Sequence, residues 1–178
     1  LEDHIGPGLP AGRAGLSLVV PAALGIEQHR LLVGLGGVAG AVAQPGLGET
    51  FHTGAPPVVP LASGGPIRIV ASRTRPPAFV TQMVEEFGGE LVPMGSAGAK
   101  VISVARDLSD AYVHAGGQYE WDSAAPVAVA RAAGLFCSRI DGSPLKYNQD
   151  NVLLPDLIVC RPEFAEQILA FIAKHGAE

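Results

Sequence analysis

The chain has 178 residues, of which 48% are hydrophobic and 16% charged, and it contains 23 glycines and 15 prolines. This length suits one sizeable domain, and the composition is that of a turn-rich globular protein rather than a disordered or fibrous one. The net charge of -5 argues against a basic surface that would bind nucleic acid, so no nucleic-acid partner is expected.

The first part of the chain predicts short strands and loops. Residues 1–15 are rich in Gly and Pro and have no hydrophobic period, which is typical of a loop. Residues 16–45 are apolar, but their Pro and Gly interruptions favour short strands over one long helix. Residues 48–66 are predicted to be turn and linker. We therefore expect an atypical or truncated N-terminal segment over residues 1–66, and regular structure from about Ile67.

Residues 67–178 predict an α/β domain, because strand-like and helix-like segments alternate there. Strands are expected at 67–71, 90–95, 111–116, 135–140 and 154–160, and helices at 77–88, 96–110, 123–134 and 162–175. This alternation is typical of a layered domain with a mixed sheet.

The cysteine and hydropathy patterns predict a cytoplasmic protein without a membrane partner. Cys137 and Cys160 are isolated, which favours buried free thiols in a reducing compartment. The apolar residues 16–42 are interrupted by charged residues and glycines, unlike a transmembrane helix of about 20 apolar residues. The first residues also lack the pattern of a signal peptide.

Asp122 precedes a helical pattern and allows two interpretations. As a helix N-cap, its carboxylate would accept backbone N–H groups and stabilise the helix by about 1 kcal/mol. As a metal ligand, it would offer a second lone pair to a hard cation such as Mg²⁺. His114, at the end of the preceding strand, is either a general base or a hydrogen-bonded structural residue.

Two further segments are candidates for anion binding. The stretch GSAGAK (95–100) follows a strand and opens a helix that Ser96 would cap, but it lacks the spacing of a phosphate-binding P-loop. Its alternative is an ordinary capped helix with Lys100 pointing to solvent. The stretch SRTRPP (72–77) offers guanidinium groups that suit phosphate, or is simply a solvated loop.

Taken in order, these motifs resemble the C-terminal half of the inositol monophosphatase family. EWDSAAPVAVARAAG (120–134) is similar to the family's WDxAA…AGG signature, and GSAGAK, DAYVHAGG and DGSPLKYN occupy the expected places around it. The resemblance implies a layered αβαβα fold, of which the C-terminal part is complete here. It also implies a Mg²⁺-dependent phosphomonoesterase that Li⁺ inhibits. SRTRPP and HAGGQYEWDSAAP are most similar to the bacterial 3'(2'),5'-bisphosphate nucleotidases, which remove the 3'-phosphate of 3'-phosphoadenosine 5'-phosphate.

The same resemblance implies roles for individual residues. Asp122 would ligate metal and touch the substrate, and Ser72, Arg75, Ser96 and Lys100 would bind the substrate. The family's DPxDGT motif and its glutamate-containing segment, which supply the other metal ligands, do not occur in this sequence. No catalytic residue is therefore assigned.

The expected partner is a small phosphorylated nucleotide or sugar, and a homodimer is one option. Inositol phosphate hydrolysis is the alternative activity. A catalytically incomplete nucleotide-binding or structural remnant is the alternative of another class.

Overall fold

The computed structural model describes residues 17–19, 29–34, 37–62, 64–74 and 76–176, with side chains from residue 39 onward. Within these residues two β-sheets alternate with two pairs of helices. The predicted loop at residues 1–15 lies outside the described residues.

An antiparallel sheet of four strands forms the first layer. Its strands are β1 (Ser17–Val19), β2 (His29–Gly34), β3 (Gly37–Gln44) and β4 (Glu49–His52), paired in that order. The short strands predicted within residues 16–45 are confirmed. The prediction that residues 48–66 are all turn and linker is wrong at β4, and so is the expectation that regular structure begins near Ile67. The reason is tertiary: Phe51 lies opposite Val42 across the β3–β4 pair and packs with it against the helices, which a local pattern does not show.

The second sheet is mixed, as predicted. Its strands are β5 (Arg68–Ser72), β6 (Glu90–Met94), β7 (Ala111–Tyr119), β8 (Phe136–Ser138) and β9 (Leu153–Cys160), in the spatial order β6-β5-β7-β9-β8. β5 is parallel to both β6 and β7, whereas β9 is antiparallel to β7 and β8.

Four helices connect and follow these strands. They are α1 (Ala78–Phe87), α2 (Ala97–Ala105), α3 (Glu120–Ala132) and α4 (Pro162–His175). α2 ends earlier than predicted, and Asp107 just beyond it adopts a left-handed φ of 60° that a continuing helix would not allow. β7 runs past the predicted end at 116 because Gly116 and Gly117, with φ of 113° and 79°, absorb an irregularity in its register with β9.

The layers are held by three apolar clusters. Alternate residues of β5 and β7, such as Ile69 and Val113, pack on α1 and α4, while Val70 and Tyr112 on the opposite face pack with α2 and α3. A smaller cluster joins the first sheet to the outer side of α2 and α3 through Val42. The order of layers is therefore β-α-β-α, four of the five in the expected αβαβα arrangement. No helix in the described part of the chain is long and apolar enough to cross a membrane.

The contact between β3 and α3 predicts a stability effect at Gly40. A Cβ there would lie 2.7 Å from the Ala125 carbonyl oxygen and 2.9 Å from the Ala128 Cβ. We expect Gly40→Ala to lower the free energy of unfolding by about 1–3 kcal/mol through overpacking. Gly46→Ala is the control, because a Cβ at Gly46 meets nothing within 4 Å. Urea unfolding of both variants checks this, and equal stabilities would contradict the close β3–α3 packing.

Candidate active site

The candidate site lies at the edge of the mixed sheet where the parallel strands β5 and β6 end, beside the middle of β7. Ser72, the last residue of β5, pairs with Met94 of β6, and Ser96 follows two residues later. Val70 of β5 pairs with Tyr112 of β7, so residue 114 of β7 is level with the end of β5. Carboxyl ends of parallel strands are a common location for ligand sites in α/β folds. Residues predicted from three separate motifs therefore lie along one edge.

Ser96 begins α2 as predicted. Its Oγ accepts a hydrogen bond from the Ala99 N–H at 3.4 Å. Its φ of 58° is unusual for a residue with a side chain, and such backbone strain is frequent at functional sites.

Lys100, one turn further along α2, is buried. Lys100 is only 6% exposed, and its Nζ lies 4.9 Å from the centroid of the Tyr112 ring. The alternative in which Lys100 points to solvent is therefore wrong, because α2 packs this face against β7. Burial lowers the pKa of Lys100, and within the described residues no carboxylate pairs with its ammonium group. A buried cation without a counter-charge is costly, and an anionic ligand would relieve that cost.

Asp122 occupies the third position of α3 and not its N-cap. The helix begins at Glu120, and Asp122 Oδ2 accepts the N–H of the N-cap residue Tyr119 at 2.8 Å. The prediction that Asp122 is the N-cap is therefore wrong: Tyr119 is the N-cap, and the Asp122 carboxylate accepts its backbone N–H from three residues further along the chain. A carboxylate in the first turn also suits the positive end of the helix dipole.

Tyr112 and His114 lie on the same face of β7, and Lys100 of α2 packs against that face. Their ring centroids are 6.0 Å apart. The Tyr112 hydroxyl is buried and has no hydrogen-bond partner among the described residues. Burial raises the pKa of Tyr112, and the charge of Asp122 raises it further. Burial lowers the pKa of His114, whose Nε2 lies 3.4 Å from the Gly117 carbonyl oxygen.

The structure thus brings Lys100, Tyr112, His114 and Asp122 into one electrostatic cluster. Both Lys100 and Asp122 act on the His114 pKa, in opposite directions. The sequence places Tyr112 near the Asp122 segment but assigns it no role, although the strand period of two puts it on the same face as His114.

The arginine predicted at the substrate site, Arg75, lies outside the described residues, and Ser72 is half-buried at the sheet edge.

Residues 147–149, in the segment after β8, are hydrogen-bonded to the start of α3. Glu120 accepts the N–H groups of Asn148 and Gln149 at 2.6 and 3.0 Å, and Ser123 Oγ lies 3.2 Å from the Tyr147 hydroxyl. The DGSPLKYN turn therefore fixes the position of the helix that carries Asp122.

Comparison with known proteins identifies the fold and the family. The model of the inositol monophosphatase family matches residues 66–177, more than half of the chain. The chain belongs to the inositol monophosphatase family. The solved structure of the inositol monophosphatase of Thermotoga maritima superposes with a TM-score of 0.66 at 18% identity, over 83% of this chain and 61% of that chain. The α/β class and layered fold predicted from the sequence are therefore confirmed.

Two curated relatives carry the name 3'-phosphoadenosine 5'-phosphate phosphatase. The protein of Mycobacterium bovis is 49% identical over 140 residues, which make up 75% of this chain and 51% of the relative. The protein of Mycobacterium leprae is 44% identical over 135 residues, or 74% of this chain and 50% of the relative. The chain spans about half the length of the curated relatives it matches.

This family is generally metal-dependent, and Asp122 is the predicted metal ligand among the described residues. Among them, no group of three His, Cys, Asp or Glu side chains is placed to hold one. Asp122 offers one carboxylate, whereas a hard cation needs several oxygen ligands at once. The described residues by themselves therefore do not complete a metal site.

The buried ammonium group predicts opposite effects of Lys100→Met on stability and on binding. The substitution keeps an unbranched side chain of similar length but removes the uncompensated charge, so the free energy of unfolding should rise by about 1 kcal/mol or more. The affinity for an anion such as inorganic phosphate should fall by about tenfold or more, because a charge-assisted contact is lost. Thermal unfolding and calorimetric titration measure the two effects. Lys174→Met, at an exposed position of α4, is the control and should change neither. A Lys100→Met variant that binds the anion normally would contradict a contact between Lys100 and the anion.

Proposed function

We propose that this chain forms the substrate-binding half of a phosphomonoesterase that removes the 3'-phosphate from 3'-phosphoadenosine 5'-phosphate or related bisphosphate nucleotides. The names of the mycobacterial relatives support this substrate class. The observation that carries the proposal is the buried Lys100, which lies over the Tyr112 ring one turn after Ser96 at the start of α2.

In the proposed site each residue has a distinct role. Lys100 and the start of α2 bind phosphate oxygens, since a buried cation and free helix N–H groups both favour an anion. Ser72 and Arg75 bind a second part of the substrate from the end of β5. Asp122 contributes one metal ligand and contacts the substrate, and the remaining ligands come from another part of the complete enzyme.

The proposed cofactor is magnesium, with lithium as an inhibitor. Oxygen ligands such as the Asp122 carboxylate are those that Mg²⁺ prefers. When bound, divalent ions would activate water and stabilise the leaving oxygen. We also propose a role in sulfur metabolism and a cytoplasmic location, which the free thiols of Cys137 and Cys160 support. The proposed oligomeric state is a homodimer.

Substrate preference tests the proposal. Phosphate release is measured from this chain joined to the N-terminal half of the M. bovis relative, with Mg²⁺ present. We expect faster release from 3'-phosphoadenosine 5'-phosphate than from inositol 1-phosphate, because Lys100 and Ser96 offer contacts to a second phosphate that inositol 1-phosphate lacks. A preference for inositol 1-phosphate would instead support the inositol monophosphatase alternative.

A second candidate function is a nucleotide-binding module without its own turnover. The absence of a DPxDGT motif from the sequence, and of a metal-ligand group from the described residues, favours it for the chain by itself. We expect the isolated chain to bind the bisphosphate nucleotide and to release little or no phosphate. Robust turnover by the isolated chain would overturn this expectation.

A further inference from the structure

Two large aromatic rings lie on the surface beside the candidate site. Tyr119 and Trp121 stack with their ring centroids 4.5 Å apart and their planes at 9°. The two residues are 46% and 36% exposed, and Leu153, opposite Tyr119 across the β7–β9 pair, is 54% exposed. Contiguous exposed apolar surface next to polar groups is a common mark of a binding site.

Local hydrogen bonds hold this stack in a fixed position. Glu120, between the two aromatic residues, donates its N–H to the Val152 carbonyl oxygen at 2.9 Å, and its carboxylate accepts two backbone N–H groups of the 148–149 turn. The Tyr119 N–H is bound to Asp122. The backbone that positions the carboxylate therefore also positions the rings, so little conformational entropy is lost when a ligand contacts them.

The chemistry of the surface selects a flat aromatic ligand. A pair of parallel rings with accessible area accepts a further ring by offset stacking, which a sugar phosphate or an inositol ring cannot provide. Stacking of a nucleobase on an aromatic side chain is tolerant of base identity, since every base has a π-face. The rings lie next to Asp122 at the end of β7, the same strand that carries Tyr112, and Lys100 Nζ lies over the Tyr112 ring. A base on the aromatic stack and a phosphate at Lys100 would therefore both contact residues placed by β7 and the helices beside it.

We propose that the Tyr119–Trp121 stack binds the nucleobase of the substrate and thereby distinguishes bisphosphate nucleotides from phosphates that carry no base. This inference rests on the proposed function and assigns it a recognition element. The stack binds the base, and the cationic cluster at the start of α2 binds phosphate.

The single tryptophan of the chain makes the proposal directly measurable. Trp121 fluorescence is titrated with adenosine 3',5'-bisphosphate and, separately, with inositol 1-phosphate, and the affinity of each is also measured by calorimetry. We expect the nucleotide to quench Trp121 fluorescence and the base-free phosphate to leave it unchanged.

Matched variants separate ring stacking from general damage to the fold. Tyr119→Leu should weaken nucleotide binding about tenfold or more, from the usual strength of base–aromatic stacking, and leave inositol 1-phosphate binding unchanged. Tyr119→Phe keeps the ring and should bind the nucleotide normally. Trp121→Leu, followed by calorimetry, should repeat the selective loss. Leu61→Ala, on the linker and 89% exposed, is the surface control.

The outcomes distinguish this inference from the function on which it rests. Nucleotide binding without quenching, and with equal affinity in Tyr119→Leu, would overturn the base site while leaving the nucleotidase proposal intact. Equal loss of both ligands in Tyr119→Leu would overturn it too, since that result indicates damage to the site rather than lost stacking. If neither ligand binds the unmodified chain, both proposals fail.

Discussion

Asp122→Asn should reduce phosphate release by about a hundredfold or more in the enzyme that joins this chain to the N-terminal half of a mycobacterial relative. Asparagine keeps an oxygen that can accept the Tyr119 N–H, so the start of α3 should remain intact. It lacks the negative charge that a cation requires, and metal stabilisation of the transition state is typically worth several kcal/mol. Steady-state phosphate release, measured over a range of Mg²⁺ concentrations, gives the effect.

The control is Asp141→Asn, the same chemical change at an exposed position in the turn after β8. It should retain the rate of the unmodified enzyme. Thermal unfolding of Asp122→Asn should stay close to that of the unmodified enzyme. A variant that keeps its rate would refute the ligand role of Asp122, and one that unfolds at a much lower temperature would assign Asp122 a mainly structural role.

The C-terminal part of the fold was predictable because its periods are regular. The helix 77–88 has apolar residues at helical spacing and a closing glycine pair, and the structure has α1 at Ala78–Phe87 with a left-handed Gly88. The closing helix was similarly marked by Pro162 at its first position. In such segments the local pattern and the tertiary packing favour the same structure.

The sequence-based predictions are wrong mainly where packing between layers determines the local structure. Strand β4 is short and mostly exposed, and its pairing with β3 depends on a cluster that includes Ile102 and Val129 from the helices. A solvent-facing Lys100 is a natural expectation from the sequence because lysine is usually exposed. In the structure, however, most residues of α2 are buried, including Lys100. Asp122 was assigned to the wrong capping position, since helix ends are the least certain part of a sequence pattern. Residue types and motifs thus predict where along the chain the candidate site residues lie. The burial of Lys100 and the charges around it are visible only in the structure.

A network of charges at the opposite edge of the mixed sheet predicts the largest effect on stability. Arg161, 1% exposed, donates from Nε to Asp110 Oδ1 at 2.8 Å, from its NH2 group to Asp107, and from its NH1 group to the Pro60 carbonyl oxygen. Arg68 binds the same Asp110 carboxylate through its backbone N–H, Nε and NH2 group at 2.8–3.0 Å. Asp110 therefore joins two arginines, and Arg161 also fixes the linker before β5.

Asp110→Asn should lower the free energy of unfolding by about 3–5 kcal/mol at neutral pH. An amide cannot accept all the arginine N–H groups that the carboxylate accepts, and it leaves the buried Arg161 charge undercompensated. Urea unfolding measures the loss, and Asp141→Asn again serves as the control. A change below about 1 kcal/mol would show that Asp107 and solvent satisfy both arginines.

The network of Asp110 with Arg68 and Arg161 also makes the free energy of unfolding fall at low pH, and Asp110→Asn should weaken this dependence. Burial raises the pKa of Asp110, but hydrogen bonds from Arg68 and Arg161 outweigh it, so the pKa is lowered overall. Hydrogen bonding to Arg68 likewise lowers the pKa of Asp107. A carboxyl group with a lowered folded-state pKa stabilises the fold above its unfolded pKa of about 3.9, and this contribution is lost as the pH falls through the folded pKa. The unmodified chain should therefore lose stability more steeply than Asp110→Asn as the pH falls below about 4, and their free energies of unfolding should converge. Parallel pH curves for the two proteins would show that the Asp110 carboxylate does not carry this dependence.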